Sequence, residues 1–291
     1  MQASCNINKR NREIGTGVNM HITITGNLGS GKSTVCKILR DQHGFEIYST
    51  GTVQRELARE MNITTLEMNR LMCSDPKYDN MIDDATARIS RENRHKNIIF
   101  DSRLAWHFVE QSFKVFLSVS LDVAAERVMN DNRGKEEKYT SLEEAKKLLA
   151  ARAETEDKRY KELYGLDYFN FSNYNLVIDS TCTTPDNIAV VILEEAKKFD
   201  EAMKKREVFE PGNQGINTIL LSPQILYPGE ITKEDIEHTA GLVKLRQENP
   251  EKRKQEILVK KIKNELNIIE GKENVIAAII AKEPFVPVIL K

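Results

Sequence analysis

Short β-branched runs and amphipathic stretches alternate through residue 206. His21–Thr25 (HITIT) leads into a glycine loop and predicts a strand. Beyond the loop, Val35, Ile38 and Leu39 recur at helical spacing within Ser33–Arg40, and Phe45–Tyr48 reads as a second short strand. Helices are expected over Arg55–Met72, with Leu57, Met61, Leu66 and Leu71 facing a core, and over Asp79–Glu92. Asn97–Phe100 is a short apolar run ending at Asp101, the pattern of a buried parallel strand. The alternation repeats with a strand at Phe113–Val119, a helix at Val123–Asn130 and a polar break at Asn132–Thr140. Ser141 and Glu144 form a capping box that opens a long helix to about Tyr164. A strand at Asn175–Ile178 and a helix at Pro185–Arg206 complete this part. Strands alternating with helices predict an α/β fold, a five-stranded parallel sheet flanked by helices.

Near Pro211, Gly212 and Gly215 the pattern changes. Strands are expected at Thr218–Leu221, Ile257–Ile262, Leu266–Ile269 and Val286–Leu290, with helices at Lys233–Gln247 and Asn274–Ile280. The expected organisation is a polar flexible leader (1–19), an α/β domain (20–208), a linker (209–216) and a small α+β domain (217–291). Charged residues make up 30% of the chain and the net charge is −1. That balance gives no global field for nucleic acid or an anionic membrane. No apolar run reaches the ~18 residues of a membrane helix. The four cysteines contain no CxxC pair, which fits a cytoplasmic, reducing setting.

The most specific chemistry lies at Gly26-Asn27-Leu28-Gly29-Ser30-Gly31-Lys32-Ser33, which satisfies G-x-x-x-x-G-K-[ST] between a strand and a helix. Glycines let successive amides converge on phosphate oxygens, and the following helix, entered through Thr34, adds its positive end. Lys32 is expected on the β- and γ-phosphates and Ser33 on Mg²⁺, which makes ATP the expected ligand. Asp101, at the same rim, is the expected second contact to the metal. Three clusters mark an acceptor side: Thr50-Gly51-Thr52-Val53-Gln54-Arg55, Asp101-Ser102-Arg103-Leu104-Ala105, and the helical run from Arg152 to Tyr160. Arg152, Glu156 and Arg159 share one helix face, where paired guanidinium forks can grip a phosphate.

These clusters, with TGTVQRELA (50–58), DSRLA (101–105), RAETEDKRYKELYGLD (152–167) and NLVIDS (175–180), resemble the cytidylate kinases, particularly their short archaeal-type branch. The resemblance implies ATP-dependent phosphorylation of CMP or dCMP by a P-loop nucleoside monophosphate kinase. It implies that Arg55, Arg103, Arg152 and Arg159 hold the acceptor phosphate, with Thr50 near the cytosine and Glu156 near the sugar. Residues 132–140 are similar to a mobile lid, with Arg127 and Arg133 as contacts to the ATP phosphates. Ser49 stands where many bacterial members carry an Asp, which leaves the choice between ribose and deoxyribose open. The C-terminal β-α-β-β-α-β order, with Gly271, Ala277, Ala278 and VPVIL, is distantly similar to the ParB-like/sulfiredoxin superfamily, although Asn274 stands near the place of its phosphate-binding arginine. A protein partner or a nucleotide is the expected ligand of that domain. The alternatives are a kinase of another small acceptor, or a nucleotide-responsive regulator with the C-terminal domain as output.

Overall fold

In a computed structural model, residues 19–63, 67, 68, 71, 77–130, 139–208, 218–248, 257–262 and 265–290 are described. Five parallel strands form one half of the sheet: β1 (His21–Gly26), β2 (Glu46–Ser49), β3 (Ile98–Asp101), β4 (Phe113–Ser118) and β5 (Leu176–Asp179). They lie in the order β2-β3-β1-β4-β5. Because β1 is flanked by β3 on one side and β4 on the other, the crossovers diverge at its carboxyl end, the usual place for a ligand crevice.

The helices follow the periodicity. They are α1 (Lys32–His43), α2 (Thr50–Glu60), α3 (Lys77–Glu92), α4 (Ala105–Phe108), α5 (Leu121–Asn130), α6 (Leu142–Tyr164) and α7 (Pro185–Lys205). Val35, Cys36 and Leu39 of α1 pack with Ile188, Ala189 and Ile192 of α7 over Ile22, Ile24 and Val115 of the sheet. Val53, Leu57 and Ala58 of α2 and Ile82, Ala85 and Ile89 of α3 cover Ile98 and Phe100. Ser141 caps α6 as expected, its Oγ accepting from the Glu144 amide, but the Glu144 carboxylate reaches back to the Thr140 amide rather than to that of Ser141, so the box closes one residue early.

One helix begins and ends elsewhere than the sequence suggests. α2 starts at Thr50 rather than Arg55, because Ser49 Oγ caps it by accepting from the Thr52 amide at 3.2 Å. It stops at Glu60, where Met61 and the left-handed Asn62 (φ 55°) turn the chain. Most of the residues from 64 to 76 lie outside the described residues, as do residues 1–18 and the expected linker.

The C-terminal elements continue the same sheet. They are β6 (Thr218–Leu221), α8 (Pro223–Leu226), α9 (Lys233–Glu248), β7 (Leu258–Ile262), β8 (Glu265–Glu270), α10 (Lys272–Ile280) and β9 (Val286–Leu290). β6 lies parallel to β5, so the parallel part has six strands rather than five, and the sheet grows to nine in the order β2-β3-β1-β4-β5-β6-β9-β7-β8. Pattern alone does not say which strands pair, and β5 would otherwise leave an open edge. One apolar cluster spans the junction: Trp106, Phe116, Tyr168, Tyr174 and Val177 meet Ile219, Leu221, Val275, Val286 and Val288.

Candidate active site

The loop between β1 and α1 is shaped by its glycines. Gly26 has φ +148°, and a Cβ there would lie 2.1 Å from the Leu117 carbonyl oxygen, so no side chain fits. Gly31, left-handed at φ +83°, turns the chain into α1. The amides of Lys32 and Ser33, in the first turn, have no carbonyl to bond within the helix, and both residues line the cavity beside the loop. Lys32 Nζ lies back on the loop, donating to the carbonyls of Gly26 (3.0 Å) and Asn27 (2.9 Å). Burial, and then the nearby Arg103 guanidinium, lower its pKa to about 7, against the opposing pull of Asp101 and Glu156.

Three cavities meet around this loop. The central one, about 220 Å³, is lined by Leu28, Gly29–Ser33, Thr50, Asp101, Ser102 and Arg103. A larger one, about 560 Å³, shares Gly29, Ser30 and Gly31 and extends past Thr34, Arg127 and Thr183. A small one, about 90 Å³, shares Thr50, Ser102 and Arg103 and extends to Asp83, Arg159 and Tyr164. The loop thus stands between a roomy side and a narrow one. A separate hollow of about 360 Å³, lined by residues such as His21, Arg91, Arg94 and Phe199, lies at the amino ends of the strands. Ligands of open α/β sheets bind at the carboxyl ends, where the other three cavities are.

Arg103 is the hinge of the central and narrow cavities. Its Nη1 donates to the Gly26 carbonyl, and its Nε pairs with Glu156 at 2.8 Å. The other oxygen of Glu156 accepts from Arg152 Nε at 3.1 Å. One carboxylate of α6 therefore holds two guanidinium groups. Thr25 Oγ1 donates to the Ser102 carbonyl at 3.0 Å and fixes the strand-end turn beneath them.

The expected site residues divide accordingly. Gly29–Ser33, Thr50, Asp101 and Arg103 come together on the central cavity. Gly26 and Asn27 serve through their carbonyls, and Thr34 faces the roomy side. Arg159 lines the narrow cavity rather than the central one. Arg152 is exposed and lines none of the three. Arg55 is exposed on α2, its Nη2 donating to Thr52 Oγ1 at 3.2 Å. Arg127 lines the roomy cavity beside the loop. Its guanidinium ties the carbonyl of Gly29 (3.3 Å) to Ser180 (2.8 and 3.1 Å), so it braces the loop against the end of β5. Arg133 and most of the expected lid, 132–138 of 132–140, lie outside the described residues.

The sequence does not single out Asp83 or Tyr164, whose side chains bond at 2.8 Å on the narrow cavity. They are 81 residues apart and belong to two different helices, so no local spacing links them. Ser180 is equally silent, because only the fold brings it to Arg127.

The donor set suits a polyphosphate with its cation: converging amides and a lysine for the anion, and the Ser33 hydroxyl with the Asp101 carboxylate for a hard divalent ion. Among the described residues no cluster of three or more His, Cys, Asp or Glu could hold a metal alone. A metal here would be held by Ser33 and Asp101 together with the bound phosphates, whose charge it would neutralise. A glycine-rich loop at the carboxyl end of β1, with a cavity on each side, is the site of a P-loop phosphotransferase. Residues 21–182 match the family model described as "Cytidylate kinase-like family", and the chain belongs to that family.

Its relatives agree. The chain is 35% identical over 196 residues to the cytidylate kinase of Thermoplasma volcanium, covering 66% of this chain and 97% of that protein. It is 34% identical to the cytidylate kinase of Thermoplasma acidophilum, covering 66% and 98%. Over 185 residues it is also 34% identical to an S-adenosylmethionine-dependent nucleotide dehydratase of Lacinutrix mariniflava, covering 63% of this chain but 37% of that protein. The chain is thus a kinase of the nucleoside monophosphate type, and among the described residues no helix is long and apolar enough to cross a membrane.

Proposed function

We propose that the chain transfers the γ-phosphoryl group of ATP to CMP or dCMP. The observation that carries this reading is the chain of three cavities, in which loop residues are shared on one side and Arg103 on the other. The roomy side suits the nucleoside of the donor, and the narrow side suits a pyrimidine better than a purine.

The nucleophile is an anionic phosphate oxygen, so no general base is needed. What the site must supply is alignment, charge neutralisation and exclusion of water. Lys32 would leave the carbonyls of Gly26 and Asn27 for the β- and γ-phosphates. Arg103 would exchange the Gly26 carbonyl for the acceptor phosphate, with Glu156 keeping its Nε oriented. Ser33 and Asp101 would hold Mg²⁺, which neutralises charge on the phosphates when bound. Arg127 keeps the loop in register with β5, so that the donor phosphates and the acceptor stay in line.

The C-terminal strands contribute none of the residues lining these cavities. Their role in this reading is to cover the β5 edge and the aromatic cluster behind Arg103. An ADP-release assay with a panel of nucleoside monophosphates tests the proposal. Fast turnover of CMP or dCMP is expected; turnover of a different acceptor alone would overturn it.

A further inference from the structure

We propose that Asp83, fixed by the Tyr164 hydroxyl, is the specificity-determining residue of the acceptor cavity, selecting a base that presents an exocyclic amino group and rejecting one that presents a carbonyl there. This rests on the reading of the narrow cavity as the nucleotide acceptor site.

The cavity has two chemically distinct ends. At one end Thr50, Ser102 and Arg103 belong to the phosphate cavity as well, which fixes where the acceptor's anion sits. The opposite end must therefore receive the base. There the apolar side chains of Ile82 and Leu104 are buried and the rings of Tyr160 and Tyr164 half-buried, offering walls for a flat ring. Asp83 and Arg159 are the charged groups on that side.

The polarity of the two is informative. An ionised carboxylate only accepts hydrogen bonds, and a guanidinium only donates them. Tyr164 donates to Asp83 Oδ2 at 2.8 Å, so the hydroxyl proton is committed and the carboxylate is held in one orientation between α3 and α6. Cytosine presents, along one edge, an amino donor followed by ring-nitrogen and carbonyl acceptors. A carboxylate beside a guanidinium complements that order. Uracil places a carbonyl where cytosine has its amino group, and a carboxylate facing it leaves two acceptors opposed. A buried polar group without a partner is what makes hydrogen-bonding sites discriminate strongly. Because Asp83 sits on α3 and Tyr164 on the last turn of α6, recognition also couples the two helices that flank the cavity.

The test is the ratio of kcat/KM for CMP to that for UMP, measured in the full chain. Asp83→Asn, whose amide can donate to a carbonyl, should lower the ratio about ten- to hundredfold, mainly through KM for CMP. Tyr164→Phe should shift it the same way by a smaller factor, and that variant decides the question should Asp83→Asn not fold. A ratio unchanged within twofold, with both substrates losing activity equally, would overturn the assignment and make Asp83 a structural residue. A wild-type enzyme that turns over neither pyrimidine would overturn the cytidylate reading itself, and the base assignment with it.

Discussion

Each half of the sheet holds an arginine–glutamate pair, and the two pairs serve different ends. In the P-loop half, Arg103 and Glu156 lie 2.8 Å apart with 18% and 20% of their side chains exposed. Water reaches them, and each has a second partner, Gly26 for the arginine and Arg152 for the glutamate. Such a pair can exchange partners when an anion arrives. In the C-terminal half, Arg246 and Glu283 lie 2.9 Å apart, only 5% and 6% exposed, between α9 and the turn after α10. Neither residue lines any cavity around the loop. The same two functional groups act as a handle where solvent enters and as a rivet where it does not. Access, rather than chemistry, separates the roles.

Four experiments sharpen or break that contrast. Lys32→Ala should lower turnover by about two to three orders of magnitude or more, while the melting temperature stays within about 3 °C of wild type. An equal loss of stability and activity would mean the P-loop half is structural as well. Arg246→Met should do the reverse. It should cost about 3–5 kcal/mol in chemical denaturation by removing the guanidinium that faces a buried carboxylate, and Arg246→Met with Glu283→Leu should recover most of it. Unchanged kcat in whatever fraction folds completes the contrast. Glu156→Gln should raise KM for the acceptor by about three- to tenfold with little change in stability, because it loosens two solvent-accessible arginines. A fall in KM would show instead that Glu156 competes with the acceptor phosphate for Arg103. The smallest effect concerns protons. With Lys32 lowered to about 7 in the empty site, the lysine is mostly neutral at pH 8, and an arriving triphosphate should restore its charge. Calorimetry in buffers of different ionisation enthalpy should detect proton uptake above pH 7 that disappears below about pH 6, and Lys32→Arg should abolish it.

Much of the first half is legible in the sequence because its signals are local. A strand, a glycine loop and a helix follow one another between His21 and His43, and their physics needs nothing from elsewhere. The strands and most helices follow from periodicity for the same reason. The start of α2 escapes because the Ser49 hydroxyl, just past the expected strand, serves as a cap that periodicity does not show. Arg127 is named by the sequence, but its bracing contacts are not, because an arginine's partners are set by tertiary position: the carbonyl of Gly29 is 98 residues away. The same holds for Asp83 with Tyr164, and for the joining of β6 to β5. Pairing across a sheet leaves no mark in the spacing of either strand.

β5 and β6 are joined in register at a single position, Ile178 with Leu220, whereas β1 and β4 match over five. Side chains rather than main-chain ladders carry that seam, and a seam of this kind yields first when a molecule is pulled or warmed. Amide protons there would trade with deuterium sooner than those of β1, and the C-terminal strands would peel back as one leaf from a nucleotide site still intact behind them.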